Sequence, residues 1–327
     1  MIGYYVHHHG RGHLMRAQSI SAHLAEPVTF LSSLPRPAGL RADDAWVQLP
    51  SDVPAEACRA HDVTANGRLH WVPLHDEGLR RRSAMLLGVL AAARARHLVV
   101  DVSVEIAVLA RLAGIPVTVI AMPGERSDPV HRLAFDVAEN IVGCWPQEVY
   151  DPDWLTVHAS RTHFVGAISR FDGRASIGDS PNRPATGLML CGAGGSAFPA
   201  DALEQLRRAV PQITWRAVGG AAAWVDDPWS LLASADIVVT HAGQNAIADV
   251  ATAGVPAVVI AQPRPFGEQR AMCEALDWAG VAVTSAKWPA PECWPALLDK
   301  AIAHGGKQWR RMRTAGAAAR AAAVIAQ

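Results

Sequence analysis

Short apolar segments alternate with helix-like segments along the whole chain, and this alternation constrains the fold more than any other feature. The strand-like segments are Ile2–Val6, Val28–Leu31, Leu98–Val102, Pro116–Ile120, Gly187–Cys191, Ile213–Ala217, Ile237–Thr240 and Ala257–Ala261. Continuous apolar runs, rather than polar alternation, are typical of parallel strands that are buried on both faces. The pattern therefore predicts an α/β fold with parallel sheets.

Two helical segments, Val104–Ala113 and Asn245–Ala253, end in the same way. Each is followed by a glycine, which tolerates the left-handed conformation after a helix, and then by a proline at the next strand. With 327 residues the chain is long enough for two domains. We expect an N-terminal domain over 1–165, a linker rich in Gly, Ser and Pro over 166–185, and a C-terminal domain over 186–327. A helical tail from about Gln308 is expected to return to the first domain.

The composition excludes several classes of protein. Thirty basic residues balance thirty acidic ones, so a general nucleic-acid binder is not expected. The five cysteines are widely spaced and form no CxxC pair, which argues against a disulfide framework or a zinc site. No apolar stretch approaches the roughly 20 residues that span a bilayer. The expectation is a cytoplasmic protein.

The first of three glycine-rich turns follows the first strand and runs from His7 to Arg16. Gly10 and Gly12 let the backbone turn tightly, and His13 then lies at the end of a sheet strand, where α/β sheets bind ligands. Imidazole suits proton abstraction near neutral pH, so His13 is the candidate catalytic base. A purification tag or a metal-binding His cluster is the alternative explanation of His7–His9.

Two further turns suit an anionic ligand. One contains Gly194, Gly195 and Ser196. The other runs His241-Ala242-Gly243-Gln244-Asn245 into a helix, whose N-terminal N–H groups and dipole favour phosphate. Asp249 lies one helical turn after Asn245 and faces the same way. Glu268 and Gln269 follow a proline-containing loop and offer groups suited to sugar hydroxyls.

The stretch from Trp224 to Gln269 resembles the C-terminal donor-binding domain of glycosyltransferase family 28. The matching residues include Ala235–Val239, His241–Gly243, Asp249 and the Glu268-Gln269 pair. The turn ending in His13 and the segment Gly166–Arg170 resemble the same family's N-terminal and inter-domain motifs. The resemblance implies the GT-B fold, in which two Rossmann-like domains with parallel sheets face each other across a cleft.

The resemblance also implies roles for these residues. The backbone of Trp224 and Val225 would hold the base of the nucleotide, and Asp249, where the family usually has Glu, would bind the ribose. The His241–Asn245 turn, Gly194–Ser196 and Arg170 would bind the diphosphate, with the Gly10–Gly12 turn facing them. Glu268 and Gln269 would contact the donor sugar, and His13 would deprotonate the acceptor.

The function that follows is an inverting, metal-independent glycosyl transfer from a UDP or dTDP sugar to an acceptor hydroxyl. The same N-terminal turn also resembles that of a nucleotide-sugar hydrolase with this fold, in which His13 would activate water. Nucleotide-sugar epimerases are a third use of the architecture. A regulatory protein that binds a nucleotide sugar is the non-enzymatic alternative.

The acceptor site should lie in the N-terminal domain, where Asp101, Glu105, Glu125 and Arg126 follow strand ends and form its candidate polar wall. The acceptor is either a small molecule or lipid-linked. The basic segment Arg80–Arg82 precedes an apolar run and suits either the anionic inner face of a membrane or an ordinary helix with a solvated end. Asp151-Pro152-Asp153 has the DxD spelling of a metal site but is read as a turn, and no metal or other cofactor is expected.

Overall fold

The computed structural model describes residues 1–8, 10–52, 62–175, 185–192 and 196–327. Its N-terminal sheet has seven strands in the order β3-β2-β1-β4-β5-β6-β7. They are β1 Ile2–Val6, β2 Val28–Ser32, β3 Ala45–Gln48, β4 His97–Asp101, β5 Val117–Ala121, β6 Asn140–Gly143 and β7 Thr162–Phe164. Every pairing in this sheet is parallel, and the register places Val6 opposite Asp101.

The C-terminal sheet has five strands in the order β12-β11-β10-β8-β9. They are β8 Thr186–Leu190, β9 Thr214–Val218, β10 Ile237–His241, β11 Ala257–Ile260 and β12 Val283–Ser285. These pairings are parallel as well. The α/β class with parallel sheets is therefore confirmed.

Helices connect the strands and cover the faces of both sheets. The α-helices are α1 Gly12–Ser21, α2 Glu77–Ala92, α3 Val104–Leu112, α4 Pro129–Val137, α5 Ala202–Ala209, α6 Trp229–Ala233, α7 Gln244–Ala253, α8 Glu268–Trp278, α9 Trp294–His304 and α10 Ala317–Ala326. The chain leaves α7 through Gly254, whose φ of 68° is left-handed, as the Gly-x-Pro pattern predicts.

The end of the chain packs on the N-terminal sheet. Ala317, Ala321 and Ile325 of α10 share a buried cluster with β1 and α1. The expectation of a continuous helical tail from Gln308 is wrong in one respect. A 3₁₀ helix over Lys307–Met312 is separated from α10 by Arg313 and Gly316, whose φ angles of 51° and 69° are incompatible with a continuous helix.

Candidate active site

The candidate residues gather where the strand order of each sheet reverses. In the N-terminal sheet β1 and β4 are neighbours and their connections leave in opposite directions, and β8 and β10 have the same relation in the C-terminal sheet. Open parallel sheets bind ligands at the carboxyl ends of such strands. The turn before α1 follows β1, and the His241–Asn245 turn follows β10, so both lie at a switch point.

At the N-terminal switch point His13 lies against Asp101. The Nδ1 atom of His13 is 2.8 Å from Oδ1 of Asp101, the last residue of β4. Asp101 is fully buried. Burial alone would raise the pKa of this carboxyl, but the charges and hydrogen bonds of Arg16 and His13 outweigh burial and hold the pKa well below its usual range. Asp101 is therefore an ionised group at neutral pH.

Arg16 completes this cluster from the same helix as His13. Its Nε donates to Asp101 Oδ2 at 2.9 Å and its Nη2 donates to Oδ1 at 2.5 Å. Arg16 Nη2 is also 3.0 Å from His13 Nδ1, and Nη1 donates to Gln244 Oε1 at 2.8 Å. Sequence reasoning did not single out Arg16, although its separation of three residues from His13 places both on one helix face.

Several other contacts join the two halves across the cleft. The Asn245 side chain donates to the carbonyl of Gly12 at 3.0 Å. Arg11 pairs with Asp226 at 3.1 Å and lies over the ring of Trp224. The His241–Asn245 turn and the turn that carries His13 therefore face each other directly.

His241, at the start of the His241–Asn245 turn, is enclosed by N–H donors. The N–H groups of Gly243 and Gly192 point at its Nδ1 and Nε2, at 3.0 and 2.9 Å. Burial lowers the pKa of His241 to about 4, so the ring is neutral at pH 7. A neutral imidazole accepts at one nitrogen only, so the ring accepts from one of these two glycines at a time. Ala242 is buried behind it.

Asp249 on α7 is buried against the segment that joins the two sheets. Ser169 Oγ donates to its Oδ1 at 2.8 Å, and Arg170 Nε donates to Oδ2 at 3.3 Å. Burial raises the pKa of Asp249 to about 6 despite the nearby Arg170. Arg170 also donates to the carbonyl of Asp226, next to Trp224 and Val225. Asp249, predicted to bind the ribose, and Arg170, predicted to bind the diphosphate, thus contact each other.

Glu268 and Gln269, at the start of α8, make contacts with different parts of the structure. Gln269 is buried and accepts from the backbone of Gln262 at 3.1 Å, while its Nε2 lies 3.4 Å from Nδ1 of His241. Glu268 faces the N-terminal half, with Oε2 3.8 Å from Nη2 of Arg126. Burial raises the pKa of Glu268. Ser196 accepts from Gln262 Nε2 at 3.3 Å, whereas Gly194 and Gly195 lie outside the described residues, as does His9.

The acceptor-side candidates separate into different environments. Asp101 belongs to the His13 cluster, and Arg126 stacks over Phe266 at 4.3 Å. Glu105 accepts from the backbone of His70 at 2.6 Å and so anchors that loop. The side chain of Glu125 accepts from the Ser127 backbone, and its own N–H donates across the cleft to the carbonyl of Phe266 at 2.8 Å.

In the described part of the chain, three atoms that could ligate a metal ion lie within 4.8 Å of one another. They belong to His70, Asp128 and His131. Asp128 Oδ2 and His131 Nδ1 are already paired at 2.5 Å, and Arg126 Nη1 lies 2.9 Å from Nε2 of His131. A guanidinium at this distance repels a cation. Asp128, His131 and Arg126 therefore form a hydrogen-bonded cluster, and the ring of His70 packs edge-on against His131.

Comparisons with known proteins agree with this architecture. Solved structures with similar folds include the glycotransferase of kitacinnamycin, at 19% identity, a TM-score of 0.66 and coverage of 99% of this chain and 97% of that one. Another is MurG of Acinetobacter baumannii, at 15% identity, a TM-score of 0.65 and 99% coverage of both chains. The calicheamicin glycosyltransferase CalG4 matches at 16% identity with a TM-score of 0.66, over 99% of this chain and 96% of that one. The chain therefore has the GT-B fold of glycosyltransferases.

The C-terminal half can be placed more narrowly. Residues 208–322 match the family model of the glycosyltransferase family 28 C-terminal domain. The UDP-N-acetylglucosamine–N-acetylmuramyl-(pentapeptide) pyrophosphoryl-undecaprenol N-acetylglucosamine transferase of Paenarthrobacter aurescens is 35% identical over 83 residues. That match spans 24% of this chain and 22% of the relative. The predicted resemblance to glycosyltransferase family 28 is confirmed.

No helix in the described ranges combines the length and the apolar character needed to cross a membrane.

Proposed function

We propose that the chain is an inverting glycosyltransferase that moves a sugar from a UDP or dTDP donor to an acceptor hydroxyl, with His13 as general base. The observation that carries this proposal is the 2.8 Å contact between His13 Nδ1 and the buried, ionised Asp101. Arg16 Nη2 lies 3.0 Å from the same nitrogen, but the carboxylate contact is the shorter of the two, and because a carboxylate only accepts we assign the proton to Nδ1. Nε2 is then the basic nitrogen that can take a proton from a hydroxyl.

The transfer step uses groups from both halves. The acceptor oxygen forms its bond to the anomeric carbon while its proton passes to His13 Nε2, and the bond from that carbon to the diphosphate oxygen breaks. The negative charge that develops on the diphosphate is stabilised by the N–H groups and dipole of α7 and by Arg170. A single displacement with one base leaves no covalent intermediate, so the anomeric configuration inverts.

The remaining donor contacts follow the geometry around α7 and α8. The backbone of Trp224 and Val225 holds the nucleobase, and Asp249 binds the ribose. Glu268 and Gln269 contact the donor sugar. Such a site offsets the diphosphate charge without a metal ion, so we propose that no metal is required. The name of the Paenarthrobacter relative includes an undecaprenol-linked acceptor. We extend that to this chain as a lipid-linked hydroxyl acceptor, with a small molecule as the other option.

The test is a panel of UDP and dTDP sugars, ranked by thermal shift and followed by nucleotide release with and without acceptor extracts. Transfer predicts that release accelerates strongly when acceptor is present and that the product has the inverted configuration. Rapid release with the donor alone, unaffected by acceptor, would identify a hydrolase instead. His13→Ala should reduce release by roughly 10²–10⁴-fold with little change in UDP affinity. Addition of EDTA should leave the rate unchanged.

A further inference from the structure

Arg16 connects two groups that lie in opposite halves of the molecule. It is buried in α1, where its Nε and Nη2 donate to both oxygens of Asp101. Its remaining nitrogen, Nη1, crosses the cleft and donates to Oε1 of Gln244 at 2.8 Å. Gln244 is the first residue of α7, within the proposed diphosphate turn. One guanidinium thus contacts the partner of the base and the turn that binds the leaving group.

This contact also fixes the direction of the Gln244 amide. A guanidinium only donates hydrogen bonds, so the carboxamide oxygen must face Arg16 and the Nε2 amino group must face away from it. That Nε2 atom is buried and has no hydrogen-bond partner within the described structure. Buried donors are nearly always paired in proteins, and an amino group beside a helix N-terminus suits a negatively charged oxygen.

We propose that Arg16 is a positioning residue that aligns the His13–Asp101 pair and the Gln244 carboxamide together. In this arrangement Gln244 Nε2 donates to a phosphate oxygen of the bound nucleotide. The inference rests on the proposed function and adds to it a direct connection between base and donor site. The base is then fully oriented only while Gln244 is in place across the cleft.

The charge of Arg16 has a second consequence for the base. Asp101 and Arg16 contact the His13 ring, and the centroid of the His7 ring lies 5.8 Å away. Arg16 neutralises Asp101 and places positive charge 3.0 Å from His13 Nδ1. Removal of Arg16 takes away the donors that hold the Asp101 carboxylate against the ring, so the transfer step should slow beyond any loss of UDP binding.

The first experiment measures UDP binding by calorimetry for Gln244→Met, Arg16→Met and the double variant. Loss of a hydrogen bond to a charged phosphate should weaken binding by roughly 10–100-fold in Gln244→Met. When Arg16 is already Met, Gln244→Met should weaken UDP binding by only a further factor of roughly 3 or less, because the Gln244 amide is no longer oriented by Arg16. Arg208→Met is the control, since Arg208 pairs with the exposed Asp201 at 3.3 Å, and this variant should bind UDP as the wild type does.

The second experiment separates kcat from KM for UDP release from UDP-N-acetylglucosamine with acceptor present. In Arg16→Met, kcat per UDP-binding site should fall in addition to the rise in KM, and both should keep their wild-type values in Arg208→Met. A merely structural role for Arg16 would reduce the number of UDP-binding sites and leave kcat per site unchanged. Independent, multiplicative effects of the two substitutions on UDP binding, or an unchanged kcat per site, would overturn the inference.

A third variant keeps the test sharp if Arg16→Met does not fold. Gln244→Glu retains a partner for Arg16, removes the amide donor and adds negative charge, so UDP affinity should fall further than in Gln244→Met. Wild-type affinity in both Gln244 variants would overturn the inference while the donor site stands. A wild-type protein that binds neither UDP nor dTDP would instead refute the proposed function itself.

Discussion

The carboxylate of Asp101 is entirely buried, yet it lies 2.8 Å from the only partly buried ring of His13. Asp101 is the last residue of β4, and His13 lies in the first turn of α1, which follows β1. The pairing of β1 with β4 brings the two residues together. A charge that is removed from water in this way is retained only with good partners. Here the partners are the proposed base and Arg16.

The first prediction concerns that carboxylate. Asp101→Asn keeps the shape of the side chain but offers an amide to His13 and removes the negative charge that orients the ring. We expect nucleotide release to fall by roughly 10²–10⁴-fold, because the tautomer with Nε2 as acceptor is no longer favoured. UDP affinity, measured by calorimetry, should change little.

Stability provides the accompanying control. Asp101→Asn leaves the buried Arg16 without its counter-charge, so the free energy of unfolding should fall by about 3–5 kcal/mol in denaturant titrations. A variant that is destabilised but turns over at nearly the wild-type rate would show that Asp101 only supports the fold.

The second prediction concerns Asp249, the proposed ribose-binding residue. Asp249→Ala removes a carboxylate that Ser169 and Arg170 both contact. UDP binding should weaken by about 1–3 kcal/mol through lost hydroxyl hydrogen bonds. Ser169→Ala is the matched control, because it disturbs the same buried cluster but leaves the carboxylate. If the two variants lost UDP affinity equally, the effect would come from the cluster and not from a ribose hydrogen bond.

The third prediction concerns acid stability. His97 begins β4 and bonds to Thr118 at 2.8 Å, and burial lowers its pKa from 6.5 to about 4. The unfolded chain therefore binds a proton in this range that the folded chain does not bind, so stability falls as the pH drops from 6.5 towards 4. His97 alone contributes about 3 kcal/mol to this loss, at 1.36 kcal/mol per pH unit.

The measurement compares the unfolding free energy of His97→Gln and the wild type at several pH values. The variant should show a flatter decline below pH 6.5. His131 and His241, with pKa values near 4, also make the folded protein less stable as the pH falls. Asp249 has the opposite effect, because its raised pKa of about 6 makes the folded protein less stable as the pH rises through that value. These groups are common to both proteins and cancel in the difference. Parallel curves would contradict the prediction.

The sequence predicted the central strands well. Every strand predicted from an apolar run has both ends within one residue of its observed position. Seven of these eight strands are lined almost entirely by buried residues, as expected for strands covered on both faces, and the exception is the edge strand β9. The strands that were missed are short, and most lie at sheet edges where one side is open. They are Ala45–Gln48, Asn140–Gly143, Thr162–Phe164 and Val283–Ser285.

The candidate site was only partly readable from the sequence. His13 and the turn before α7 carry local signals, a glycine turn and a helix start. The contacts of Arg16 with Asp101 and Gln244 join residues 85 and 228 positions apart, and no local pattern encodes them. Ser169 and Phe266 were missed for the same reason, since their partners are set by how the two sheets face each other.

The last prediction compares two glycines with positive φ angles. Gly114 follows α3 with a φ of 75°, and a Cβ there would meet nothing within 4 Å. Gly124 has a φ of 101°, and a Cβ there would strike the carbonyl oxygen of Phe266 and approach the Glu268 backbone at 3.0 Å. Gly114→Ala therefore tests backbone strain alone, whereas Gly124→Ala tests strain together with the approach of the two halves.

Gly114→Ala should lower the free energy of unfolding by about 1–2 kcal/mol, the cost of a left-handed alanine, with unchanged ligand binding. Gly124→Ala should cost at least as much and should also push the 266–268 segment away from the N-terminal half. The hydrogen bond from the Glu125 N–H to Phe266 would break, and Glu268 would move from the proposed sugar site. Calorimetry with UDP-N-acetylglucosamine and UDP should then show a larger loss for the sugar nucleotide than for UDP. Equal losses for the two ligands in Gly124→Ala would show that this segment does not contact the donor sugar.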